Sequence, residues 1–313
     1  MSMTELKQRL SEILPAFSIR EEEPLSKHTS FRIGGPADYY VMPDSVEQCK
    51  QVIALCKERE MPYRVIGNGS NILCADDGVE GVIIDMVRGL NQCEVDPEAG
   101  VIKAQAGVLL SALARRAQQA GLTGLEFAGG IPGSVGGALM MNAGAYGGEM
   151  KQVVQWARVL TREGEELVVT VDQLDLSYRH SAIRPNGWIV LEAGFALQQG
   201  DLAQIRSTMD DLAARRRDKQ PLEFPSAGST FKRPVGYFAA QLIDEAGLKG
   251  FTLGGAQVSE KHAGFVINRG GATAADVMAL CQAVREKIFQ SVGVELEMEV
   301  EKIGGRTCHF PPM

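Results

Sequence analysis

The chain has 313 residues, 45% hydrophobic and 23% charged, with 39 acidic against 32 basic side chains. That is an ordinary globular balance, long enough for two or three domains whose cores need no disulfide or metal. The net charge of −7 argues against a general nucleic-acid binder, and no apolar run reaches the ~20 residues that span a bilayer.

The opening "MSMTELKQRLSEILPAF" reads as an amphipathic helix without the apolar centre of a signal peptide, so the expected location is cytoplasmic. A strand (Asp38–Met42), a helix (Ser45–Arg59) and a strand (Tyr63–Ile66) follow. Val46, Cys49, Val52, Ile53 and Cys56 form that helix's apolar face, with Ser45 as its cap. The short runs "GVIIDMV", "CEVD" and "VIKAQAG" read as strands, and Leu109–Ala120 as a helix stopped by Gly121. A hairpin turning at Glu163-Gly164, another strand in "WIVLEAGFALQQG" and a helix over Asp201–Arg217 come next. The three prolines of "KQPLEFPSAGSTFKRP" mark a domain boundary. Beyond it the pattern predicts a helix (Tyr237–Ala246), two strands including "GFVIN", a helix (Ala274–Phe289) with Thr273 and Asp276 as a capping box, and a strand (Val294–Lys302). The class is α+β with several small mixed sheets. The six cysteines, Cys49, Cys56, Cys74, Cys93, Cys281 and Cys308, contain no C-x-x-C pair, and with four histidines they offer no metal site; reduced thiols are expected.

Two glycine-dense loops carry chemistry. The first, Gly67, Asn68, Gly69, Ser70 and Asn71, directly follows a strand, where bare backbone lets N–H groups converge on an anion. The second is "GGIPGSVGG", with Gly129, Gly130, Ile131, Pro132, Gly133, Ser134, Gly136 and Gly137. Its surroundings hold nine glycines between Gly124 and Met150, too many for a comfortable helix or strand. Neither loop is a G-x-G-x-x-G or a P-loop. Two such loops fit a long ligand with a diphosphate in its middle, and Val135, Leu139, Met140 and Met141 could pack on a flat ring. A packing segment with no ligand is the plain alternative.

"FRIGGPA", "GNGSNIL", "GLEFAGGIPGSVGGALMMNAGAYGGE", "YRHS", "AGSTFKRP", "AAQLIDEAGLKG" and "GFVIN" occur in order between His28 and Gly304. Together they closely resemble the UDP-N-acetylenolpyruvoylglucosamine reductase family of flavoenzymes in peptidoglycan precursor synthesis. The resemblance implies a two-lobed FAD-binding domain of the vanillyl-alcohol-oxidase type, with lobes at 1–75 and 76–205, and a smaller α+β substrate domain at 218–299. Residues 300–313 would return to the first lobe. It implies the shorter family type, which lacks an extra tyrosine-bearing loop. FAD would be non-covalent, since nothing near His28 marks a flavin linkage, and NADPH would be the reductant. The partner is a UDP-sugar, with a monomer as the default state and no nucleic acid, membrane or metal.

Residue by residue, the resemblance makes Ser229 the proton donor, Arg179 the stabiliser of the intermediate and Glu299 a further catalytic group. The residues alone do not choose them: Ser229 reads equally as a loop serine or cap, and Arg179 as a surface arginine. In "VELEMEVEKIG" the alternation places Glu295, Glu297, Glu299 and Glu301 on one wet strand face and prefers none. Cofactor contacts are expected from both glycine loops and from Asn142, Gly144 and Ile189. Lys232, Tyr237 and Gln241 are candidates for the substrate's diphosphate and uracil, and His262 faces the cleft or is structural. The run Arg215–Lys219 either steers an anionic nucleotide or is a solvated helix end. Two departures stand out: Arg233 where many relatives have asparagine, and Glu301 where arginine is frequent. An oxygen-using sugar or alcohol oxidase on the same scaffold, and a non-catalytic flavin or nucleotide-sugar binder, are the rival readings.

Overall fold

The computed structural model describes residues 3–305. The first sheet orders the strands Ile19–Pro24, Pro36–Val41, Val79–Asp85 and Tyr63–Ile66 side by side. Val79–Asp85 runs parallel to both of its neighbours, and its unbroken apolar run "VII" suits a strand covered on both faces. Val82 and Ile84, with Tyr39 and Val41, enter the main core, while Ile83 and Tyr40 pack into a smaller core on the other side. A first lobe ending at residue 75 would cut this sheet, whose strand Val79–Asp85 lies beyond that point. The helix Val46–Glu58 packs behind it, and Ser45 accepts from the Gln48 N–H at 3.3 Å as its composition predicts.

A five-stranded antiparallel sheet follows, in the order Glu166–Thr170, Val154–Leu160, Ile189–Ala196, Val101–Gln105 and Cys93–Asp96. Its buried side chains join those of the first sheet in one continuous core. The turn glycines Gly121 and Gly164 take positive φ. The glycine-rich segment is more regular than its composition suggests, holding a 3-10 turn (Glu126–Gly130) and a short helix (Val135–Met140). Neighbouring chain compensates for the weak propensity: Val135 and Gly136 donate to the carbonyls of Val108 and Ala106 at 2.9 and 2.8 Å. The helix Leu202–Lys219, capped by Asp201, lies against Leu110–Gln119 and Glu126–Gly130.

Past the prolines, the strands Ser226–Ser229, Phe265–Asn268, Ala256–Val258 and Thr252–Leu253 form a four-stranded antiparallel sheet, whose core also takes in Phe31, Ile33 and Leu73 of the first lobe. The helix Ala274–Val292 covers it and begins with the expected Thr273–Asp276 capping box. Val294–Lys302 is not the continuous strand that alternation predicts. Only Glu301–Ile303 is strand, parallel to Ile72–Cys74, with an isolated bridge from Met298 to Phe231. Glu295 and Glu297 are exposed, whereas Glu299 and Glu301 are half-buried, so the four glutamates do not share a wet face. Tertiary hydrogen bonds replace a ladder here, and the local period therefore misleads. Glu301–Ile303 returns to the first lobe; residues 306–313, including Cys308, lie outside the described residues.

The other five cysteines are free, and burial pushes Cys49, Cys56, Cys74 and Cys281 up to about 12, which leaves them unreactive. Among the described residues no helix is long and apolar enough to cross a membrane. The C-terminal unit is fastened to the first lobe. Asp76 accepts from the N–H groups of Ala274 and Ala275 at 2.7 and 3.0 Å, Asn268 donates to the Phe31 carbonyl at 3.2 Å, and Ser30 donates to the Ser226 carbonyl at 2.7 Å. A carboxylate on two free N–H groups at a helix start is favoured by hydrogen bonding and by the helix dipole. Asp76→Ala should therefore lower stability by about 1 kcal/mol, read as a fall in the urea midpoint at unchanged slope.

Candidate active site

A cleft of about 630 Å³ is walled by both glycine loops, by Ile183–Arg184 and Trp188–Val190, by Arg216 and by Ser229, His262 and Glu299. That volume suits a large organic ligand. The first loop is held from behind: Gly69 adopts φ +60, and a side chain there would collide with the His28 carbonyl. The loops are also tied together, since Asn68 Nδ2 donates to the Pro132 carbonyl at 2.8 Å. A Cβ on Gly67 would strike Ser134 Oγ.

A second cavity of about 570 Å³ opens alongside, sharing Arg179, Ser229, Arg233, His262 and Glu299 and adding Tyr178 and Phe238. Three non-glycine residues on these walls, Asn142, Tyr146 and Arg179, have positive φ, a cost of roughly 1–3 kcal/mol each that clusters where geometry matters.

Ser229 ends the strand Ser226–Ser229, whose pairing with Phe265–Asn268 shifts register between Ser226 and Ser229. Gly228, at φ +76, makes that bulge, a device that re-aims a side chain. Among the described residues the Ser229 hydroxyl has no hydrogen-bond partner. The next residue, Thr230, is locked by bonds from Val266 N to its Oγ1 at 2.9 Å and from Glu299 N to its carbonyl at 2.8 Å. Glu299 is thereby fastened beside Ser229. Its side chain is 7% exposed, and Arg179 Nε lies 2.6 Å from its Oε1. The Nε–H does not point along that line and makes no aligned hydrogen bond, so the contact is one of charge. Burial raises the Glu299 carboxyl above its ordinary range, with Arg179 and Lys232 pulling the other way.

The structure brings most of the expected residues together. Gly67, Asn68, Gly69, Ser70, Asn71, Ile131, Pro132, Gly133, Ser134, Gly136, Gly137, Gly144, Ile189, Arg179, Ser229, His262 and Glu299 all line the cleft. Others it places elsewhere. Gly129 packs on Met209 and Gly130 on Arg216, so their missing side chains admit the helix Leu202–Lys219. Asn142 is a turn brace, bonded to Glu149 at 2.9 Å and accepting from Lys151 N. Lys232 pairs with Glu297, Gln241 bonds Glu245 at 2.7 Å, and Tyr237 is exposed; none of the three lines either cavity. His262 is on the wall, yet its Nδ1 accepts from Gly264 N and burial lowers its pKa, which favours a neutral ring.

Sequence reasoning missed Arg216. In the run Arg215–Lys219, Arg215 pairs outward with Asp211 at 2.8 Å, whereas Arg216 turns into the cleft, where desolvation lowers its pKa. No carboxylate pairs with it among the described residues. The signal was present: Ile205, Met209, Leu212 and Arg216 follow one helical stripe, which puts an arginine on the buried side.

Comparison with known proteins decides the family. The C-terminal domain of UDP-N-acetylenolpyruvoylglucosamine reductase matches residues 220–303, and an FAD binding domain matches residues 37–170. The UDP-N-acetylenolpyruvoylglucosamine reductase of Agathobacter rectalis is 52% identical over 97% of this chain and 99% of its own. That of Clostridioides difficile is 50% identical over 97% of this chain and 99% of its own. The chain belongs to the UDP-N-acetylenolpyruvoylglucosamine reductase family. The crystal structure of the family member from Thermus caldophilus superposes with a TM-score of 0.78 at 36% identity, covering 91% of this chain and 100% of that one. The fold is thus an FAD-binding domain followed by a smaller α+β domain.

The cleft's residues fit the reductase family's flavin. Ser134 Oγ is buried without a partner where the two glycine loops meet, an unsatisfied group that a ligand oxygen would satisfy. Met86, Leu110, Ile131, Met140 and Ile189 supply an apolar wall for a planar ring. His28 is stacked on Tyr40 at 4.0 Å and bonded to Glu23 at 2.8 Å, engaged with the protein instead of the cleft. Gly67→Val should abolish flavin retention, read as loss of the visible absorption band from the purified protein.

The raised carboxyl of Glu299 carries a pH signature. A group whose pKa is raised on folding holds its proton more tightly when folded, so stability falls as pH rises through the window above its ordinary 4.5. Glu299→Gln removes that slope. The variant should gain stability relative to the parent as pH rises from 5 to 8, measured as urea midpoints across that range.

Proposed function

We propose that the chain reduces the enolpyruvyl group of UDP-N-acetylglucosamine enolpyruvate to give UDP-N-acetylmuramate, with NADPH as reductant. It would work as a cytoplasmic monomer. The observation that carries the reading is the convergence of Ser229, Arg179 and Glu299 on one wall of the cleft that both glycine loops line. FAD, when bound, supplies the means of taking a hydride from NADPH and delivering it to carbon 3 of the enolpyruvyl group.

The remaining chemistry belongs to the chain. Carbon 2 must gain a proton, and Ser229 presents an unpartnered hydroxyl for it. A serine hydroxyl is a weak acid, so the charge left on its oxygen needs help from neighbours. Glu299, whose carboxyl is raised by burial and opposed by Arg179 and Lys232, can replace the proton, and Arg179 stabilises the negative charge that develops on the substrate. Arg216 offers an unpaired guanidinium to a phosphate or carboxylate, the geometry that fork suits best. Arg233 stands over the Phe238 ring at 4.6 Å and near Tyr178 at 5.9 Å, a cationic clip at the second cavity for the nucleotide end.

The test is the visible spectrum without oxygen. NADPH should bleach the flavin band, and the enolpyruvyl sugar nucleotide should restore it; recovery only with air would favour an oxidase, and no bleaching a binder. Ser229→Ala should keep the bleaching and slow the restoration by 10² or more. Arg216→Met should raise the KM for an anionic substrate at least tenfold, with a smaller change in kcat.

A further inference from the structure

Glu301 stands two residues beyond Glu299, at the start of the strand Glu301–Ile303. Its Oε1 accepts from Arg64 at 2.7 Å and its Oε2 from Arg184 at 2.7 Å. Arg64 belongs to the strand Tyr63–Ile66 of the first sheet, and Arg184 to the short helix Ile183–Asn186 that leads into the strand Ile189–Ala196 of the second. All three line the cleft. The side chains of Arg64 and Glu301 are only 18% and 22% exposed, so that arm is no loose surface pair, while Arg184 is 48% exposed. A carboxylate with one arginine on each oxygen is held in position and orientation at once. We infer that Glu301 is a positioning residue for Glu299, clamping the final segment between the two cofactor lobes so that the Glu299 carboxylate stays against Arg179.

The backbone shows how the clamp is transmitted. Glu301 N donates to the Asn71 carbonyl at 2.9 Å, Asn71 Nδ2 donates to the Glu299 carbonyl at 3.1 Å, and Glu299 N donates to Thr230. The main chain of residues 299–301 is thus stitched to the first glycine loop and to the residue after Ser229. Those bonds tie the main chain, and the side chain of Glu301 adds a separate tie. The Arg64–Glu301–Arg184 bridge links that segment to both sheets at once. Positive charge stands on both sides, and the carboxylate between the two arginines joins them.

The inference rests on the proposed role of Glu299 in proton supply. Arg179 and Lys232 are the charges that act on Glu299, and burial lowers the pKa of His262 on the same cleft wall. Glu301→Gln keeps the shape and removes the charge. In the FAD-loaded protein its NADPH-driven bleaching should match the parent. Restoration of the flavin band by substrate should slow at least tenfold in kcat, with KM changed less than threefold. The pH limb of restoration should move upward, because a carboxyl displaced from Arg179 loses its acidifying partner. Arg184→Met should show the same pattern, the double variant should lose no more than the worse single one, and Glu301→Asp should recover part of the rate. Lower thermal stability or FAD retention, with the rate and pH limb of restoration unchanged, would make Glu301 a structural brace and overturn the inference. Glu299→Gln run in parallel separates the two failures. Normal restoration in that variant sinks the role of Glu299 and this inference with it; slow restoration there with a normal Glu301→Gln sinks the inference alone.

Discussion

A carboxylate buried against an arginine holds its place only if the backbone beneath it cannot move, and the Glu299 backbone is pinned from two sides. Its N–H is bonded to Thr230, next to Ser229, and its carbonyl accepts from Asn71 of the first glycine loop. One residue therefore links the wall that would supply protons to the wall that would hold the cofactor. A shift in either would pull Glu299 away from Arg179, or leave a buried charge without its partner at a cost of several kcal/mol.

The strand Glu301–Ile303 lies parallel to Ile72–Cys74, which begins where the glycine loop ends. Asp76, just beyond, accepts from the first N–H groups of the helix Ala274–Val292. The C-terminal sheet is thus moored to the first lobe by polar contacts at its rim and by a shared apolar core that takes in Phe31, Ile33 and Leu73. Across the cleft the Tyr178 hydroxyl accepts from Arg233 N at 3.1 Å, and Arg179 reaches Glu299. These contacts sit on the turn around Arg179, where positive φ stores strain. Such an arrangement presents polar groups along a cleft open between rigid layers.

Much of this architecture was legible in the amino-acid order. Ser45, Thr273 with Asp276, and Gly121 punctuate elements where their side chains or φ demand it, and the two glycine loops do wall one cleft. These are local rules of backbone freedom and capping, which act over a few residues and survive any tertiary context. The failures also have local causes. Period-2 alternation in "VELEMEVEKIG" looked like a strand, yet the backbone of residues 297–301 bonds to Thr230, Asn71 and Lys232 in place of one ladder. Gly129 and Gly130 looked like phosphate loops, but they make room for Met209 and Arg216.

By itself the sequence determined the capped helices, the glycine loops and, through long ordered motifs, the family. It could not choose among Glu295, Glu297, Glu299 and Glu301, because alternation is indifferent to depth. Nor could it tell Arg216 from Arg215 by charge, or join Arg64 to Glu301 across the chain. Those distinctions depend on which side chains lose water and which charges then meet, and contacts between residues far apart in sequence decide both. Only the tertiary structure buries Glu299 against Arg179 and sets Glu301 between two arginines. Desolvation in that setting turns ordinary surface residue types into a site.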